Sequence, residues 1–179
     1  MAVTVDWLNR EKMTRQWRWG VPLIAAIILL DQLAKSWVLG ASALNAMDCL
    51  PNTALCRKIE LSGIFDLTMT WNRGVSFGAL QAEGAARWGL FLLIGAIAVG
   101  FTIWLFRAER WLTALALAMV VGGAVGNLID RARFGAVVDF LDFSGLYFPW
   151  IFNVADASIS VGAIVLLLDQ VLAGRKRPS

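Results

Sequence analysis

Three aspartates stand in stretches too apolar to hold a charge idly. Asp130 ends the run 111–129, Asp156 interrupts the run 148–168, and Asp139 lies between them in Val138-Asp139-Phe140. A charge at membrane depth costs roughly 2.5–3.5 kcal/mol on insertion scales. Such groups persist where they pair, face a polar cavity or do chemistry. Two nearby carboxyls cannot both ionise easily, so one keeps a proton while the other acts as base. A base that activates water, beside an acid that protonates a carbonyl oxygen or a leaving amine, can hydrolyse an amide. The chain has no His, the commonest base and metal ligand. Two cysteines without His argue against a zinc site.

The polar neighbours of these acids are specific. Asp31 and Lys35 are four apart on one helix face and read first as a mutually neutralising pair, one that could still orient a substrate. Asn127, Asp130 and Arg131 also share a face; a structural role for Asp130 weighs about as much as a catalytic one. Asp139 has no basic residue within five positions, so desolvation should raise its pKa. Asn153 and Asp156, at i and i+3, read either as capping or as a site in which Asn153 serves a neighbouring carboxylate. Asp142, followed by Ser144 and Gly145, reads as a loop residue.

The elements that must position these groups are membrane spans. Hydrophobic residues make up 59% of the chain, charged residues 16%, and the mean hydropathy is +0.67; this excludes an ordinary soluble domain. Four runs reach the roughly 20 residues that a bilayer requires, giving helices over about 21–39, 88–106, 111–130 and 148–172. The expected fold is a membrane all-α, four-helix bundle of one domain, with a small extracytoplasmic β-sheet inserted between helices one and two, over about 44–82. The basic residues flank the spans, so the pI of 9.2 reflects the positive-inside rule and implies no nucleic acid. Both termini fall on the cytoplasmic side and the inserts 40–87 and 131–147 face outward. The first 43 residues resemble a signal peptide, but Asp31 and Lys35 precede the candidate cleavage segment, which favours a retained span.

Within the first insert, residues 59–71 alternate: Ile59, Leu61, Phe65, Leu67, Met69 and Trp71 against Glu60, Ser62, Asp66, Thr68 and Thr70, with Ile64 as the break. That predicts a half-buried strand or bent hairpin, a turn at Asn72-Arg73-Gly74 and a second strand over 75–80. Along the third span Ala114, Ala118, Gly122 and Gly126 recur every four residues, with Asp130 continuing the row. Small residues so spaced let helices approach closely.

In order, the chain carries Asp31-Gln32 with Lys35, Asn72-x-Gly74-x-x-Phe77, Gly122-Gly123-x-x-Gly126-Asn127-x-x-Asp130-Arg131, Val138-Asp139-Phe140 and Phe152-Asn153-x-Ala155-Asp156. Over roughly residues 18–173 it resembles the lipoprotein signal peptidases, or signal peptidase II. The resemblance implies an intramembrane aspartyl endopeptidase of the bacterial cytoplasmic membrane. Such enzymes cut the signal peptide from prolipoproteins just before a diacylglyceryl-modified cysteine, with no cofactor or metal. It implies Asp139 and Asp156 as the dyad. It implies Asn72, Gly74, Asn127, Arg131 and Asn153 as support for substrate and dyad, Asp31 and Lys35 as residues that line or brace the site, and Asp130 as supporting. The stretch 44–58 is longer than the family's usual link. Its Cys49 and Cys56 either close a small loop, if that side is oxidising, or remain free thiols.

Two other readings use the same residues. Intramembrane acids also serve proton- or ion-coupled transporters, but here they sit at one end of the bundle, with only Asp169 near the other. A divalent-metal site of carboxylates is the third. A four-span bundle can act as a monomer among membrane lipids.

Overall fold

The computed structural model describes residues 16–47, 49, 56–74 and 86–174. Within them run α1 (Trp17–Gly40), β1 (Lys58–Glu60), β2 (Asp66–Asn72), α2 (Ala86–Arg107), α3 (Trp111–Phe134), β3 (Val137–Asp142), β4 (Ile151–Phe152) and α4 (Val154–Gly174). All four helices are long and apolar enough to cross a membrane. Exposed Leu92, Leu93, Ile97 and Val99 on α2 and Ile164, Leu167 and Leu168 on α4 give these helices apolar outer faces suited to lipid.

α3 is the central helix, packed against α1, α2 and α4. The four-residue row does bring helices close, and its two glycines make their tightest approach to α1. A Cβ on Gly122 would stand 3.0 Å from the Ile27 side chain of α1, and one on Gly126 would stand 2.7 Å from Asp31 Oδ2. The approach to α4 uses Gly123, which lies outside the row. A Cβ there would strike the Ala155 carbonyl oxygen, and one on Gly162 of α4 would stand 2.8 Å from the Ala116 carbonyl oxygen of α3. Backbone cannot yield as a side-chain tip can. Gly123→Ala should therefore part α3 from α4 and cost about 1–3 kcal/mol, as overpacking does. Unfolding in detergent measures this; an unchanged midpoint would contradict the close crossing.

Three helix boundaries differ from the sequence-based expectation by four residues or more. α1 begins at Trp17 rather than residue 21, with Trp19 Nε1 donating to Gln16 Oε1 at 2.7 Å. α3 continues past residue 130 to Phe134 and ends where Gly135 takes the left-handed conformation at φ 72°, its N–H donating to the Arg131 carbonyl. α4 starts at Val154 rather than residue 148, because Ile151 and Phe152 pair as a strand with Asp142 and Leu141. Asn153 then caps the helix, its Oδ1 accepting the Asp156 N–H at 2.8 Å.

The sheet is antiparallel in the order β1-β2-β3-β4. The bent hairpin expected over 59–71 is β1–β2, and Ile64 lies in its bend. The rest of the sheet comes from the α3–α4 connection, so it is not confined to the insert between α1 and α2. The strand expected over 75–80 lies outside the described residues. One face buries Met69, Trp71, Val138 and Phe140 against Val38, Leu44 and Ala46, with Trp71 Nε1 donating to the Ala46 carbonyl at 2.8 Å. Full burial of such side chains stabilises by about 1.5–3 kcal/mol each. Asp142 is not a loop residue: it ends β3, buried, and accepts from Thr68 Oγ1 at 2.5 Å and the Ser144 N–H at 2.9 Å. Cys49 and Cys56 form a disulfide with Cα atoms 5.5 Å apart. The Cys56 N–H donates to the Met69 carbonyl, which ties the disulfide to β2.

Candidate active site

Pleating puts Asn72 and Asp139 on the sheet face opposite Trp71 and Val138, toward the helix ends. There Asp139, 1% exposed, accepts from Asn72 Nδ2 at 3.0 Å and from Asn153 Nδ2 at 2.6 Å. Asn153 can do this because, as the helix cap, its amide nitrogen points back over β3, where it also donates to the Val138 carbonyl at 3.2 Å. Asp156 sits in the first turn of α4 and accepts from Asn127 Nδ2 at 2.7 Å. Burial first, and the nearby charge of Asp156 second, push the Asp139 carboxyl well above the ordinary range. The hydrogen bonds from Asn72 and Asn153 oppose this without reversing it.

Beneath the two carboxyls lies a buried charge cluster. Lys35 Nζ is 2.8 Å from Asp31 Oδ2, 2.8 Å from Asp130 Oδ2 and 2.9 Å from Asn127 Oδ1. The i, i+4 pair therefore extends to a second acid on α3. The carboxylates in turn hold backbone: the Ala155 N–H donates to Asp31 Oδ1 at 2.9 Å, and the Val138 N–H donates to Asp130 Oδ2 at 3.1 Å. One cluster thus fixes the start of α4, beside Asp156, and the start of β3, beside Asp139.

Asn72 closes the expected turn, its Oδ1 accepting the Gly74 N–H at 3.0 Å. Arg131 Nη2 donates to the Gly74 carbonyl at 2.7 Å. The path Asp31–Lys35–Asn127–Asn153–Asp139–Asn72–Gly74–Arg131 is continuous in hydrogen bonds and ion pairs, with Asp130 branching at Lys35 and Asp156 at Asn127. Every candidate residue read from the sequence lies on it. Beside Asp156 a cavity of about 270 Å³ is walled by Phe148, Ile151, Phe152 and Ile159. It could hold an extended apolar segment next to a carboxyl.

Two polar groups escaped the candidate set. Gln32 donates to Asp31, to the Gly126 carbonyl and to Asp130 at 3.0–3.2 Å. Its place beside Asp31, in an apolar run, was the signal. At the far end of the bundle Asp169, 1% exposed, is held by Arg110 and by Thr113 Oγ1, which clamps the start of α3 to the end of α4.

A profile of the signal peptidase II family matches residues 23–172. A lipoprotein signal peptidase of Caulobacter vibrioides is 42% identical over 171 residues, covering 93% of this chain and 95% of its own length. One from Brevibacillus brevis is 41% identical over 160 residues, covering 88% and 98%. Two bacterial membrane enzymes solved by the in meso method align with TM-scores of 0.70 and 0.65 at 22% and 24% identity. The alignments cover 90% and 84% of this chain, and 93% and 91% of theirs. At those identities they speak for the fold alone. A profile spanning four helices and relatives aligned over nearly their whole length agree: the chain belongs to the signal peptidase II family.

Proposed function

We propose that this protease removes the signal peptide from diacylglyceryl-modified prolipoproteins, cutting just before the lipidated cysteine, and that Asp139 and Asp156 are its catalytic dyad. Signal-peptide removal follows from family membership. The observation that carries the aspartic assignment is the pairing of a buried, upshifted Asp139 with Asp156 across the Asn153–Asn127 bridge. Asp139 holds the proton and Asp156 is the base. Asp156 takes a proton from water as its oxygen attacks the scissile carbonyl carbon, while Asp139 protonates the carbonyl oxygen. Collapse of the tetrahedral diol breaks the C–N bond. The amine of the lipidated cysteine leaves with the proton held by Asp156, and Asp139 recovers its own.

Asn72, Gly74, Asn127, Asp130, Arg131 and Asn153 position the dyad and the peptide; Asp31 and Lys35 brace them from below. The chain acts as one integral domain and as a monomer in the bacterial cytoplasmic membrane. Both termini face the cytoplasm, and the dyad and sheet lie near the outer surface. The transporter reading has no support from the family. Its far-end acid, Asp169, is bound to Arg110 and Thr113 rather than placed as a relay step.

The test compares a precursor with and without the diacylglyceryl group, in EDTA, reading product mass. A product beginning at the lipidated cysteine, formed only from the modified precursor, is expected. Equal cleavage of both, or cleavage elsewhere, would refute the assignment. Glu60, exposed on β1, lies away from the dyad network. Glu60→Ala should leave kcat/KM within about twofold, as surface changes do; a large loss would place substrate on that strand.

A further inference from the structure

Arg131 has a second environment besides the dyad network. With Arg73, Arg87 and Arg133 it lines a cavity of about 240 Å³ between the start of α2 and the end of α3. Four guanidiniums around one small space repel each other. The carbonyl end of α3 offsets about half an elementary charge, and Asp130, Asp139 and Asp156 act on Arg131 from the dyad side, so the charge facing the cavity rests chiefly on the exposed Arg87 and Arg133. Among the described residues no carboxylate is in ion-pair range of Arg87 or Arg133. Each instead lies over an aromatic face, Arg87 over Trp88 at 5.3 Å and Arg133 over Phe134 at 4.8 Å, contacts that orient a cation without neutralising it. Gly135, which ends α3 in the left-handed conformation, also lines the cavity beside Arg87.

Depth identifies the anion. The cavity is at the dyad end of the bundle, where α2 begins with exposed Trp88. Tryptophan at a span end marks the headgroup level of a bilayer. On the outward placement proposed above, these arginines also stand on the side where the positive-inside rule disfavours them. We infer that this basic cavity is a phosphate-binding site, filled by the headgroup of an anionic phospholipid. Its acyl chains would run down the lipid-facing surface beside Leu90 and Phe91. The lipid would neutralise the cluster and hold the outer end of α2 against α3, beside Arg131 and so beside the dyad.

Native mass spectrometry of the full chain, released with equal amounts of dioleoyl phosphatidylglycerol and dioleoyl phosphatidylcholine, tests this without any cleavage. A failure here is therefore separate from a failure of the peptidase assignment. Wild type should retain phosphatidylglycerol preferentially. Arg87→Gln with Arg133→Gln should cut that preference by about 25-fold, at about fivefold per arginine near a headgroup. Arg87→Lys with Arg133→Lys should keep most of it, which separates lost charge from lost folding. Inorganic phosphate at the lipid concentration should displace none. Equal retention of both lipids by wild type would overturn the site, as would an unchanged preference in the glutamine variant. Displacement by inorganic phosphate would overturn the lipid assignment in favour of a free-phosphate site.

Discussion

Asp139→Asn and Asp156→Asn should each lower cleavage of a lipidated precursor by at least about a thousandfold, within the range for general acid–base groups, while the protein stays inserted and folded. An amide can neither take a proton from water nor return one. The fold should tolerate Asp139→Asn because the site already disfavours charge there: burial, then the charge of Asp156, holds the carboxyl well above its ordinary range. The amide keeps an acceptor for one of Asn72 and Asn153 and loses the other, at about 1 kcal/mol. That loss does not vary with pH, whereas the contribution of Asp139 does. A carboxyl raised in the folded state stabilises fully below its unfolded pKa of about 3.9. That stabilisation is lost as pH rises through the higher folded value. Unfolding midpoints followed upward from acid pH should therefore fall in wild type relative to Asp139→Asn. A wild type that instead gains on the variant over that window would show that Asp139 is held ionised.

Lys35→Met carries the second large effect. Asp31 and Asp130 are 0% and 1% exposed, and both contact Lys35 Nζ at 2.8 Å. Removing the one cation leaves two buried carboxylates facing each other, and breaking a buried pair from one side costs about 3–5 kcal/mol. The consequence reaches the dyad, because these carboxylates hold the N–H groups of Ala155 and Val138. Activity should fall with stability although Lys35 touches neither dyad carboxyl. Adding Asp31→Asn to Lys35→Met removes one of the repelling charges and should restore part of the lost stability. A single variant as stable as wild type, or a double variant no better than the single, would contradict the bracing role.

The bundle was legible because each span is long and almost uniformly apolar, and the β1–β2 hairpin because residues 59–71 alternate. The two strands that complete the sheet were hidden by the same logic. Val137-Val138-Asp139-Phe140-Leu141-Asp142 has too little alternation to announce a strand, and Ile151 and Phe152 merge into the apolar run of α4. The true start of α4 was nonetheless written in Asn153 and Asp156, whose capping geometry the structure realises. The pairing of Asp31 with Lys35 followed from their spacing. The link to Asp130 did not, because α1 and α3 meet through the glycines of α3, and nothing local specifies which face of α1 they receive. Asn72 and Asp139 are 67 residues apart; composition alone could not join them, and only the ordered motifs of the family placed them in one site.

The proposed carboxylate dyad works without a metal. Its most direct test is a gel-shift assay of purified protein in detergent, with EDTA, on a diacylglyceryl-modified prolipoprotein, comparing wild type, Asp139→Asn and Asp156→Asn. Cleavage by wild type and by neither variant, all three equally folded, is the predicted result. Substantial cleavage by either variant, or loss of wild-type cleavage in EDTA that returns with added divalent metal, would contradict it.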